Sequence, residues 1–308
     1  MAMRFIFLVT LILSLSSYSI PNDRVATDNN HYLYPRNREV LYISGIENPY
    51  YSFDALKREK NICENSTTKQ RICGLIEPLL NESRPSKMNY KNLQVEDSNL
   101  VIIGEMHPNI SPKKIAIDII EKDSSFTHLA LEMFNQASQE KINDFQEGKI
   151  TADELETTLS SEWSYNSAPY MELIIRANEL GLKITALDNR KSVTQSDLSQ
   201  NLIERDIIWA KKLTEIFKED NSSKVLMLSG KLHSFKKFQQ ENSTNKIKTV
   251  VELINENITI KTKSFFVIEK REDNLFRRYI QRQETNETQL LLNHELLQPY
   301  IDGIIFSL

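Results

Sequence analysis

The chain has 308 residues, 40% of them hydrophobic and 26% charged, with a formal net charge of −4. Such a chain is too apolar to default to disorder and long enough to close a large core, as one domain or one domain with an extension. The mildly acidic total gives no electrostatic reason to expect a nucleic-acid partner.

The first nineteen residues place Arg4 before the apolar run 5–13 and end in the small residues Ser17 and Ser19. This is the pattern of an export signal, and the run is short for a membrane span. The expected product is a processed, periplasmic or secreted protein beginning near Ile20, with membrane anchoring the less favoured alternative. Residues 20–92 are rich in Asn, Tyr and Pro without sustained periodicity and read as an N-terminal extension. They hold both cysteines, Cys63 and Cys73, and export makes a disulfide between them the leading expectation. It would close only a short loop and fasten a local feature.

From residue 93 to 308 the pattern alternates strand and helix. Continuous apolar runs at 100–103, 129–131, 183–187 and 225–228 predict strands buried on both faces, as in a parallel sheet covered by helices. A helix is predicted after the first run, with Ser111 as N-cap and Pro112 at the first helical position. Its amino end would lie near the strand ends and favour an anionic ligand. Between the second and third runs, about 136–181, three helical stretches form an expected lid: 136–146 before Gly148, 152–159 capped by Thr151, and 167–180 closed by Gly181. A longer helix is expected over about 196–218. Strand candidates follow at 249–254 and 265–268, then a polar helix from about Asp273 and a closing apolar segment at 300–306. The predicted fold class is α/β, a mostly parallel sheet flanked by helices, with a helical lid insertion and an N-terminal extension.

Two of the strands end in one pattern: Gly104-Glu105-Met106-His107 and Gly230-Lys231-Leu232-His233. With seven glycines and five histidines in the whole chain, this coincidence points to a composite site. The other two runs deliver Glu132 and Asp188-Asn189-Arg190. Open α/β sheets bind ligands outside the carboxyl ends of their strands, so His107, Glu132, Asp188 and His233 are expected to converge. His107, His233 and Glu132 supply the donor types of a divalent-metal site with an open position, and Glu105 would then serve as general base on a bound water. The plainer alternative makes both histidines hydrogen-bonded caps on buried strand ends. Arg190 and Arg205 are candidates for an anionic group on a ligand, against ordinary ion pairing. No Gly-rich phosphate loop and no Gly-x-Ser-x-Gly elbow is present, which argues against a nucleotide enzyme and a serine hydrolase.

At these residues the sequence resembles the Tiki/TraB/erythromycin-esterase-like superfamily and, within it, the ChaN-like haem-binding uptake family. The broad resemblance rests on the two Gly-x-x-His motifs and Glu132. The narrower one rests on Leu131-Glu132-Met133-Phe134, Gln139, Phe145, Gly148, Trp163, Tyr170, Ala177, Gly181, Asn189, Arg190, Arg205-Asp206 and Ala210. It covers about 93–238, nearly half the chain. One departure is that Pro108-Asn109-Ile110-Ser111-Pro112 supplies no further histidine after the first motif. The resemblance implies non-covalent binding of haem or iron at the carboxyl edge of the sheet in iron uptake, with Asp188, Asn189, Arg190, Arg205 and Tyr170 as ligand-binding candidates. Axial-ligand types near the strand ends and lid include Tyr165, Tyr170 and Met133. Tiki-like relatives imply a second reading, a metal-dependent peptidase or esterase acting on a peptide or small molecule. A non-catalytic binding protein on the same fold is the third.

Overall fold

The computed structural model describes residues 46–47, 86–189, 198–237, 239–240, 248–269, 287–292 and 300–307. The expected signal, the Cys63–Cys73 disulfide, Arg190 and the helix from Asp273 lie outside these residues. Eight strands form the main sheet: β1 (Ser86–Lys87), β2 (Leu100–Glu105), β3 (His128–Asn135), β4 (Lys183–Asp188), β5 (Val225–Gly230), β6 (Thr262–Glu269), β7 (Gln289–Leu292) and β8 (Gly303–Ser307). Their order is β1-β7-β8-β6-β2-β5-β3-β4. Strands β8, β6, β2, β5, β3 and β4 run parallel, and β7 and β1 add an antiparallel margin. The fold is the mixed α/β class predicted from the sequence. Among the described residues no helix is long and apolar enough to cross a membrane.

Among the described residues seven α-helices accompany the sheet: α1 (Tyr90–Leu93), α2 (Ser111–Lys122), α3 (Gln139–Gln146), α4 (Ala152–Glu162), α5 (Ala168–Glu179), α6 (Leu198–Glu219) and α7 (Val250–Asn255). Side chains alternate along each strand, so the sheet has two buried faces. Val101, Ile103, Leu129, Leu131, Leu226, Leu228, Ile184 and Ala186 share a core with residues of α2 to α5. Leu100, Ile102, Ala130, Val225 and Met227 meet Trp209, Leu213 and Phe217 of α6 and Val250, Val251 and Ile254 of α7 on the other face. The helices of the expected lid therefore contribute Ile142, Leu155, Leu159, Leu173 and Ile174 to the main core.

Two expectations are corrected by local chemistry. Residues 249–254, a strand candidate in the sequence, form α7, because Thr249 and Glu252 make a reciprocal capping box and Val250, Val251 and Ile254 bury one helical stripe. Ser111 is not the N-cap of α2. Ile110 occupies that position without a side-chain cap, and the Ser111 N–H donates instead to Glu269 Oε1 at 2.7 Å. A carboxylate from the end of β6 thus takes the amino end of this helix, where an anionic ligand was expected. Thr151 and Gly181 behave as predicted: Thr151 forms a capping box with Glu154, and Gly181 follows α5 at φ 77°.

Candidate functional site at the carboxyl edge of the sheet

The four strands that end in polar residues are adjacent, in the order β2-β5-β3-β4, so parallel pairing carries all four carboxyl ends to one edge. In the β2–β5 register Gly104 faces Ser229 and Glu105 faces Gly230. Each motif glycine makes room for the opposite motif. A Cβ on Gly104 would stand 2.6 Å from Ser234 Oγ, just after His233, and one on Gly230 would stand 3.2 Å from His107 Nε2. Between Leu131 and Asn135, the stretch that contains Glu132, the β3–β4 register shifts.

Glu132 lies at the centre. Its Oε2 accepts the Gly230 N–H at 2.5 Å, and its Oε1 accepts from Arg205 Nη2 at 2.6 Å. The Nε2 atoms of His107 and His233 each stand 3.9 Å from the same Oε1, beyond hydrogen-bond reach. Burial raises the cost of ionising Glu132, yet Arg205 followed by the two histidines outweighs it and holds the carboxyl below the usual range. Arg205 also grips Asp188 through Nε to Oδ1 at 2.7 Å and Nη2 to Oδ2 at 3.2 Å. Burial disfavours the guanidinium charge, but Glu132 and Asp188 more than compensate and its pKa is raised.

Both imidazoles are held from behind. His107 Nδ1 lies 3.0 Å from Glu105 Oε1, and His233 Nδ1 lies 2.5 Å from Asp206 Oδ1. A carboxylate oxygen beside Nδ1 favours the tautomer with the proton on that nitrogen and turns Nε2 away from the carboxylate. Burial pushes the Asp206 carboxyl up, with His233 and then Arg205 pulling against it. His233 is 4% exposed and lies 4.2 Å from the Trp209 ring, whereas His107 is 21% exposed between Trp163 at 4.6 Å and Tyr165 at 5.1 Å. The Tyr170 hydroxyl donates to Glu105 Oε1 at 2.6 Å and reaches the His107 carbonyl at 3.1 Å. Burial, then the Glu105 charge, raises the Tyr170 pKa well above its ordinary value.

The structure thus brings together His107, Glu132, Asp188 and His233, with Glu105, Arg205 and Tyr170 around them, while Asn189 is exposed at the end of β4. Glu105 is buried among Tyr170, His107 and Lys113. Both Glu132 oxygens are engaged, and among the described residues no group of three or more His, Cys, Asp or Glu side chains is disposed to hold a metal ion. Sequence reasoning missed the parts played by Asp206, Lys113 and Trp209. Asp206 was visible only as a residue beside Arg205 in the family pattern, and the helical position of Lys113, two residues after Ser111, gave no signal.

Two carboxylate-anchored histidines thus stand at one edge of a mostly parallel α/β sheet. Residues 93–203 match the family model described as haem-binding uptake, Tiki superfamily, ChaN, which bears out the ChaN-like resemblance read from the sequence. No curated protein matches the chain. Among solved structures the chain is similar to the type III effector HopBA1, with 13% identity and a TM-score of 0.47 over 73% of this chain and 96% of that one. It is also similar to ChaN of Campylobacter jejuni with cofacial heme, with 14% identity and a TM-score of 0.44 over 71% and 92% of the two chains. A third similarity is to RRSP, a MARTX toxin effector domain from Vibrio vulnificus, with 18% identity and a TM-score of 0.41, covering 66% of this chain and 39% of that one.

Proposed function

We propose that this is an exported haem-binding protein of iron uptake, taking haem non-covalently as cargo at the carboxyl edge of its sheet. The observation that carries the reading is the partly exposed geometry of His107: its Nδ1 is occupied by Glu105, its Nε2 can offer a lone pair to iron, and its ring sits beside Trp163 and Tyr165. An imidazole nitrogen next to flat aromatic surface is what a non-covalent haem needs from a protein. His233 is buried and supports Glu132 from the interior. In this reading Glu105 acts on His107 by fixing its tautomer and orientation and does not reach a bound water. Titrating the purified protein with hemin should give a saturable Soret band, weakened about tenfold or more in His107→Ala. A flat titration of the wild-type protein would reject haem as the ligand.

A second reading, hydrolysis, is favoured by the His107–Glu105 and His233–Asp206 pairs, since a carboxylate behind Nδ1 is the arrangement that lets Nε2 accept and return a proton. Ester and peptide turnover that disappears in both His107→Ala and His233→Ala would replace the haem reading with this one.

A further inference from the structure

Lys113, in the first turn of α2, is 1% exposed. A buried ammonium left unpaired is strongly disfavoured, so its partners matter. An ammonium has three N–H donors. Here Nζ meets three oxygens: it donates to the His107 carbonyl at 2.7 Å, donates to the Asn109 carbonyl at 2.7 Å and forms an ion pair with Glu105 Oε2. The same ammonium lies 4.1 Å from the centre of the Tyr170 ring, whose hydroxyl bonds the other Glu105 oxygen.

These partners share one property. Glu105 holds the His107 imidazole through Nδ1, and the two carbonyls belong to the loop that carries His107 away from β2. The loop is wrapped around the ammonium, so the backbone and the ring of His107 are both referred to one point on α2. We infer that Lys113 is the positioning residue of the edge, fixing His107 in one orientation and one tautomer. For its ligand the inference rests on the haem reading, but the orientation of His107 can be read without any ligand.

The test is a nitrogen–proton correlation spectrum of the histidine rings in the ligand-free protein, recorded beside hemin titrations and thermal melts. Wild-type His107 should show a single tautomer with the proton on Nδ1. Lys113→Met should disperse that signal between tautomers and weaken hemin binding about tenfold. Should Lys113→Met fail to fold because Glu105 is left without its counter-charge, Lys113→Arg keeps the charge and Glu105 but cannot place a compact ammonium on the two loop carbonyls, and it is read in the same way. A wild-type proton on Nε2, or a folded variant with an unchanged ring spectrum, overturns the assignment whatever the hemin affinity. A dispersed spectrum in the variant, with no hemin binding by the wild type, keeps Lys113 in this role and removes haem.

Discussion

Arg205 is the side chain on which the charges of the edge depend. It is the cation shared by Glu132 and Asp188, so Arg205→Ala removes an ion pair from each of two buried carboxylates. Breaking a buried ion pair from one side typically costs about 3–5 kcal/mol, and urea denaturation should show a loss of that order. Arg205→Lys should recover only part of it, because a single ammonium cannot reproduce the fork across two carboxylates. Gly104→Ala is expected to act by contact. The added methyl meets Ser234 Oγ and, at 3.0 Å, the Phe266 ring, and overpacking of this kind costs about 1–3 kcal/mol. Its thermal midpoint should fall, and the His233 ring signals should shift with it. The histidines and Glu132 were legible in the sequence because strand-end positions follow from apolar runs. Their supporting partners were not, since Asp206 and Lys113 sit on helices whose rotation against the sheet is decided by packing. Arg205 was legible as an anion-binding type, while its protein partners became visible only when the strands were placed side by side.

The edge strand β4 shows how the fold manages an unpaired sheet margin. Three glutamines stand against it. Gln139 accepts from the Ala186 N–H at 2.8 Å and donates to the Ile184 carbonyl at 2.9 Å. Gln146 accepts from the Ile184 N–H at 3.0 Å and donates to the Leu182 carbonyl at 2.8 Å, and Gln136 donates to the Leu187 carbonyl at 2.9 Å. Their amides imitate the peptide groups of a missing neighbour, which blunts a surface that would otherwise recruit another chain. Gln139→Ala should cost about 1–2 kcal/mol and raise self-association, measured by denaturation and light scattering. A variant that remains monomeric at high concentration would show that other features protect this margin. The parallel strands were readable because Val, Ile and Leu run on without a polar break. Strand β7 carries little sequence signal because Gln289–Leu292 is short, and α7 resembles a strand locally because Val250 and Val251 are β-branched, while its Thr249–Glu252 capping box makes it a helix.

At the opposite end of the sheet a second polar group links chain segments far apart. Lys224 Nζ donates to Asp123 Oδ2 at 2.6 Å and to the Glu96 carbonyl at 3.1 Å, and the Tyr90 hydroxyl donates to Asp123 at 2.5 Å. Burial works against the Asp123 charge, but Lys224, Ser125 and Tyr90 outweigh it and lower its pKa. A depressed carboxyl stabilises the fold above its unfolded value, near 3.8, and this contribution fades as pH falls toward the folded value. Burial and then Asp123 raise the Tyr90 pKa, so its contribution is complete below about 10 and fades as pH rises beyond that. Urea midpoints should therefore drop on both sides of a broad plateau, with Asp123→Asn flattening the acid arm and Tyr90→Phe the alkaline one. An unchanged acid arm in Asp123→Asn would assign that loss to other carboxylates. The pairing of β2 with β5 has a consequence for the chain while it is being made. Synthesis delivers His107 early and Gly230 late, so a nascent chain that has emerged only through α5 has β2 without β5 beside it and a first histidine without Gly230 against its ring. The edge cannot close on the ribosome until β5 has left the exit tunnel. Translation stalled between α5 and β5 would yield a client for chaperones and proteases, with apolar strands on show and no functional site.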